Sequence, residues 1–222
     1  MLGRLGTTFI IIISIYLAFS GLQGYLASMY SLSVEKSLRD LSLNGAEAQE
    51  IDSVLDSTNK MILWDSRHPY YMSLAASVYT WKGYSNSGIE IPISDPLLLK
   101  AALNFESLSM GLRPTWSDSY AQQARRLSAK NRSISDIQKY LSYAQVYGPY
   151  ERSTALATLE LYFKYWNDLD VEERTTAARF FLEYQKFGLS RADLNVIIST
   201  IPNKGLPCGI ATFNGLNMKA CK

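Results

Sequence analysis

Polar and apolar positions divide this chain into two unequal parts. From Thr7 to Tyr30 the residues are apolar apart from small hydroxyl side chains, Gln23 and two glycines, and Arg4 is the one charge among the first 34 positions. From Val34 onward apolar residues return at helical spacing, and no stretch shows the sustained alternation of a half-buried strand. The pattern predicts an all-α protein, with one N-terminal transmembrane helix ahead of a helical domain.

Stop and start signals place the elements. A membrane-proximal helix should continue through Leu41 and end near Asn44-Gly45, and further helices are expected over 46–63, 69–83, 96–112, 114–127, 134–147, 149–166, 171–187 and 191–201. Asp95-Pro96 reads as an N-cap followed by a first-turn proline, and Ser133-Ile134-Ser135-Asp136 and Asp170-Val171-Glu172-Glu173 read as capping boxes. Serine, glycine and asparagine between Tyr84 and Ser94 mark the longest loop, while Pro202, Gly205 and Pro207 mark the end of regular structure. On the helix after Pro96, Ala101, Ala102, Phe105 and Leu108 continue the small-large pattern that lets paired helices approach closely. On the helix after Pro114, Tyr120, Ala121, Ala124 and Leu127 should face inward, with Gln122, Gln123, Arg125 and Arg126 outward.

Three prolines each follow a helix stop and open an aromatic-rich stretch: Arg67-His68-Pro69-Tyr70-Tyr71, Leu112-Arg113-Pro114-Thr115-Trp116 and Tyr147-Gly148-Pro149-Tyr150-Glu151. Proline is tolerated in the first helical turn and disfavours the helical region for the residue before it. The intervals, 45 and 35 residues, match the roughly 34–47 residues of paired-helix repeats. The domain is therefore expected to be a repeat of paired helices, such as tetratricopeptide or HEAT units. Stacked helix pairs create extended surfaces for binding, which argues against a reaction centre.

The apolar N-terminus has two readings. Its 24 residues from Thr7 to Tyr30 reach about 36 Å as a helix, enough for a hydrocarbon core of about 30 Å. The denser run from Phe9 to Phe19, followed by Ala18-Phe19-Ser20, also fits a cleaved signal peptide. The further apolar stretch from Leu22 to Leu32 favours an uncleaved anchor. Arg4 ahead of the span, with Lys36 the next basic residue, orients the short N-terminus toward the cytoplasm and the rest toward the periplasm or exterior. The expected organisation is 1–33 for the cytoplasmic N-terminus and anchor, 34–201 for the repeat domain, and 202–222 for a C-terminal tail.

Charge and chemistry narrow the function. Beyond residue 34 there are 21 basic and 20 acidic side chains, so no basic footprint for nucleic acid exists. Cys208 and Cys221 lack a CxxC pattern or a nearby histidine. They are either a disulfide tying down a tail without its own core, which an oxidising compartment favours, or two thiols. No metal site is expected. With one histidine, His68, and none of the hydrolase, metalloprotease or nucleotide-binding motifs, no catalytic residue or cofactor is assigned. Glu106 and Glu151 near the joints offer two carboxylates of the kind a glycosidase uses, but scattered acids on helices usually sit on solvated faces. Arg113, Arg125 and Arg126 offer contacts to an anionic polymer, with a solvated helix face as the ordinary alternative. Asn131-Arg132-Ser133 matches a glycosylation sequon by chance. The fifteen tyrosines and four tryptophans gather at joints, where they either stack on sugar rings or fill the wedge between helix pairs.

The order Pro69-Tyr70-Tyr71 with Leu74-Ala75 and Tyr79-x-Trp81, then Gly111-Leu112-Arg113-Pro114-Thr115-Trp116, Ala144-x-x-Tyr147-Gly148-Pro149-Tyr150-Glu151, Trp166 and Cys208 resembles the VpsP-type polysaccharide biosynthesis proteins. The similarity covers Trp64 to Cys208. It implies one N-terminal anchor, a tetratricopeptide-like domain, and an accessory part in making or exporting a surface polysaccharide, with no active site to carry over. The expected role is a membrane-anchored periplasmic adaptor contacting other proteins of an exopolysaccharide synthesis or export complex. Arg113, Trp116, Tyr120, Tyr150 and Glu151 are the candidate binding residues at the groove rim. Direct polysaccharide binding by aromatic residues, or a structural accessory subunit of an unrelated membrane complex, are the alternatives.

Overall fold

A computed structural model describes residues 2–44, 48–85, 95–129 and 133–222. Gly45 at the predicted first helix stop, most of the predicted loop (86–94), and Asn131 and Arg132 of the sequon fall outside the described residues. Among the described residues there are ten α-helices and no strand. The chain forms two compact units, Met1–Leu112 and Arg113–Lys222.

The first unit holds α1 (Leu2–Asn44), α2 (Ala48–Trp64), α3 (Pro69–Ser85) and α4 (Pro96–Leu112). The 43 residues of α1 run without a break through position 33, where anchor and domain were expected to divide. Packing against the domain starts earlier, at Ala27, and continues at Ser31, Val34 and Leu41, all on one helical face. On α2, Ile51, Val54, Thr58 and Met61 turn inward at the same spacing, and the Thr58 hydroxyl returns its proton to the Val54 carbonyl at 2.8 Å. Helix α3 packs on α1, α2 and α4, so it buries residues nearly all round: Tyr71, Met72, Leu74, Ala75, Ala76 and Val78. Asp95 caps α4 by accepting the Leu97 N–H at 2.8 Å. Of the small-large pattern on α4, Ala102 is buried and Phe105 packs against the core. Leu99, Ala102, Glu106 and Ser109 are buried, while Leu108 is exposed. Spacings of three, four and three residues define that stripe, and Leu108 lies off it.

The second unit comprises α5 (Ser117–Ala129), α6 (Ile134–Tyr147), α7 (Arg152–Lys164), α8 (Val171–Leu182), α9 (Arg191–Thr200) and α10 (Gly205–Phe213). Helix α5 packs on α6 and on α7, and α7 packs on α8 and on α9. Contact with both the next helix and the next but one is helical-repeat packing. Ala121, Ala124, Ala144 and Ala157 line the meeting of α5, α6 and α7, and such small residues let helices approach closely. A larger apolar core joins α7, α8, α9 and α10 through Phe163, Phe181, Leu194, Ile198 and Ala211.

Several boundaries moved for local reasons. Pro69 and Pro96 stand at the first helical position as expected, but Pro114 and Pro149 sit ahead of their helices in turns. Helix α7 ends at Lys164, and a short 3-10 turn, Trp166–Asp168, follows. Helix α8 ends at Leu182, and Tyr184–Phe187 form a 3-10 turn closed by Gly188 at φ 68°. The buried aromatics Phe181, Tyr184 and Phe187 recur every third residue, which a helix of three residues per turn keeps on one side. The capping box at Asp170 and Glu173 is formed. Ser133 forms none; its hydroxyl pairs with that of Ser135 at 2.9 Å. Ser190 and Asp193 make a capping box that sequence reading passed over.

Regular structure does not stop at Pro202. Pro207 lies in the first turn of α10, where its missing N–H has no partner to lose. Leu206, Ala211 and Met218 then join the main core, so the C-terminal segment shares that core. Cys208 and Cys221 are joined as a disulfide, with Cα atoms 5.5 Å apart.

Candidate binding surface at the helix joints

Two of the proline joints share one backbone design. The Trp116 N–H donates to the Arg113 carbonyl at 3.1 Å, and the Glu151 N–H to the Gly148 carbonyl at 3.1 Å. Each is a four-residue turn with proline second, the position that its fixed φ suits. The two joints also meet. A β-carbon on Gly148 would stand 2.5 Å from Cβ of Ser117 and 2.3 Å from its hydroxyl oxygen, so glycine is required for the backbone to come that close.

This approach assembles an aromatic surface. The Arg113 guanidinium lies 5.2 Å from the centre of the Trp116 ring. Tyr120 donates its hydroxyl proton to the Pro114 carbonyl at 2.8 Å, which fixes the ring against the turn. Its ring centre is 5.4 Å from Tyr143 and 5.5 Å from Tyr147 on α6. Burial raises the Tyr120 hydroxyl pKa above its ordinary value, reinforced by Tyr147 and Tyr143 nearby. Tyr143, Val146, Tyr147 and Tyr150 are all exposed. Tyr143, Val146 and Tyr147 follow one another at three and one residues on α6, a helical face pointing away from the core, while Tyr150 lies beyond that helix in the turn.

Tyr150 belongs to a different neighbourhood. Its ring stacks with Phe187 at 6.0 Å, and Phe187 in turn meets Phe180 at 4.1 Å. These rings, with Gln145, Pro149, Arg179 and Lys186, line a pocket of about 180 Å³. Arg179 lies 5.6 Å over Phe180, and Lys186 pairs with Glu183 at 3.2 Å. A second, polar crevice holds Gln138, Tyr162 and Glu173 among its walls, with the Gln138 amide donating to the Glu173 carboxylate. Burial, with Glu173 beside it, pushes the Tyr162 hydroxyl up to about 12.

The candidate residues thus separate. Arg113, Trp116 and Tyr120 form one cluster around the first joint; Tyr150 faces the aromatic pocket; Glu151 is exposed ahead of α7, without capping it through its side chain. Tyr143, Phe187, Arg179 and Lys186 complete these surfaces and were missed. The spacing of Tyr143, Val146 and Tyr147 was the available signal for the first of them. Two expectations are corrected. Gln123 and Arg126, read as outward, are 4% and 5% exposed, because α5 is enclosed by its neighbours. Arg126 is therefore not part of a surface for an anionic polymer. Arg125 is half-buried and pairs with Glu160 at 2.9 Å. Glu106 is fully buried and accepts the Ser73 hydroxyl proton at 3.2 Å, a placement closed to substrate. His68 stacks on Tyr71 at 4.1 Å. Among the described residues no three His, Cys, Asp or Glu side chains gather as metal ligands.

Aromatic rings with a stacked guanidinium can bind protein side chains or the apolar faces of sugars. Comparison with family models, curated proteins and solved structures finds no match to this chain.

Proposed function

We propose that this protein is a membrane-anchored helical-repeat adaptor, held by α1 in a bacterial inner membrane with its helical domain in the periplasm. It assists exopolysaccharide synthesis or export through protein–protein contacts. The carrying observation is the cluster at the first joint, in which Arg113, Tyr143 and Tyr147 are exposed and Trp116 and Tyr120 are half-buried beside them. Tyrosine, tryptophan and arginine dominate binding hot spots, because they contribute large contact area at low conformational cost. The resemblance to VpsP-type proteins supports the polysaccharide context. A helix anchor confines the adaptor to the plane of its partners and raises their effective concentration.

The test is to isolate the tagged chain from native membranes in mild detergent and identify its partners by mass spectrometry. A glycosyltransferase, chain-length regulator or polysaccharide exporter is expected, and Arg113→Glu should abolish its recovery without changing helicity. Truncation at one hot spot costs about 2 kcal/mol or more, near thirty-fold in affinity. Recovery of subunits from an unrelated membrane assembly would overturn the polysaccharide assignment.

Direct polysaccharide binding is the second reading, favoured by the pocket at Tyr150, where stacked rings meet Arg179 and Lys186. It requires that the purified protein bind its own organism's polymer and that Tyr150→Ala abolish the binding.

A further inference from the structure

Helix α1 and the joint between α2 and α3 enclose a crevice of about 400 Å³. Ser20, Gln23 and Gly24 line one side; Leu63, Trp64 and Arg67 stand on the other. The depth of this crevice along α1 gives it meaning. From Phe9 to Phe19, and again at Leu22 and Tyr25, the apolar side chains of α1 are exposed. The helix becomes a packed part of the domain only from Ala27, with the Ser28 hydroxyl 3.1 Å from that of Tyr71. Counted from the residue after Arg4, a hydrocarbon core of about 30 Å takes about 20 helical residues and ends near Gly24. The crevice therefore lies at the depth where acyl chains give way to headgroups.

The residues at that depth have the chemistry of this boundary. Leu63 is 79% exposed although it is apolar. Trp64 is half-buried, and tryptophan is enriched at membrane interfaces, where its ring is apolar and its N–H can reach water or lipid oxygen. Arg67 is exposed, and its planar fork matches a phosphate. Asp65 also lines the crevice, and one of its carboxylate oxygens accepts the backbone N–H of Arg67 at 3.1 Å, which holds that side chain against the turn.

We propose that the α2–α3 joint is a phospholipid contact site. Leu63 enters the acyl boundary, Trp64 lies in the interfacial belt, and Arg67, with Ser20 and Gln23, receives a lipid phosphate. This rests on the reading that α1 crosses the membrane. The consequence is a second point of attachment, which fixes the orientation of the first unit against the bilayer.

The experiment places a nitroxide on the full-length protein in vesicles of phosphatidylethanolamine with a minority of phosphatidylglycerol. The joined Cys208 and Cys221 leave an introduced cysteine as the one free thiol. Labels enter through Ile15→Cys, Leu63→Cys and Leu97→Cys, all at exposed positions, and power saturation compares access by oxygen with access by a water-soluble nickel chelate. Position 63 should favour oxygen over the chelate, between a deep position 15 and an aqueous position 97. Arg67→Glu should shift position 63 toward the chelate, and Arg67→Lys should restore it in part. A label at 63 as aqueous as that at 97 overturns the proposal, as does one shielded from both reagents, which would mean a protein neighbour. An unchanged depth in Arg67→Glu removes the phosphate contact. If position 15 is itself aqueous, the anchor reading fails; if 15 is deep and 63 aqueous, only the lipid contact fails.

Discussion

The N-terminal half of α1 and the whole of α5 reverse the usual distribution of side chains in opposite ways. Between Phe9 and Phe19, α1 leaves phenylalanine, isoleucine and leucine side chains exposed. Helix α5, written SDSYAQQARRLSA, buries Ser117, Ser119, Gln123, Arg126 and Ser128. Exposed apolar side chains in such number call for a cover other than water, and among the described residues one helix is long and apolar enough to cross a membrane. Buried polar side chains instead require hydrogen-bond partners within the protein. Ser128 shows how this is met, accepting from the Lys164 ammonium at 2.9 Å and sharing a hydrogen with the Tyr165 hydroxyl at 3.2 Å. The comparison teaches that composition identifies which helix is unusual, while its surroundings decide which kind of surface that helix needs.

The largest expected effect comes from giving α1 a charge where lipid is inferred. Ile15→Arg should cost about 2.5–3.5 kcal/mol at the bilayer centre and release the chain from membranes under alkaline carbonate extraction. Full retention would mean that protein, not lipid, covers this face. A smaller effect is expected where α5 begins. Gly148→Ala forces a β-carbon to within 2.5 Å of Cβ of Ser117, and overpacking of this kind costs about 1–3 kcal/mol, read as a lower urea midpoint. An unchanged midpoint would show that the two joints are not tightly apposed. The smallest belongs to the polar interior: Ser128→Ala should lose about 0.5–1.5 kcal/mol in the same measurement. A stabilised variant would show that the buried hydroxyl contributes nothing to α5.

Much of the secondary structure was legible. Asp95 and Asp170 signal helix starts through interactions confined to a few residues, and both cap as their neighbours in sequence suggest. The break after Leu182 was less legible, because it follows from Phe181, Tyr184 and Phe187 sharing one core. The candidate surface was legible in part. Arg113, Trp116 and Tyr120 are neighbours in sequence and remain so in space. Tyr143 and Tyr147 reach Tyr120 only through the packing of α6 on α5, and Phe187 meets Tyr150 across 37 positions of chain.

The sequence by itself determined the helical class, the long apolar N-terminal helix and the paired-helix spacing of the joints, because periodicity and capping act over one or two turns. The tertiary structure alone decided that Arg126 and Glu106 are buried, that α10 joins the main core, and that Leu63, Trp64 and Arg67 stand beside Ser20 and Gln23. Burial and proximity depend on which helices pack together, and that packing brings together side chains far apart in the chain.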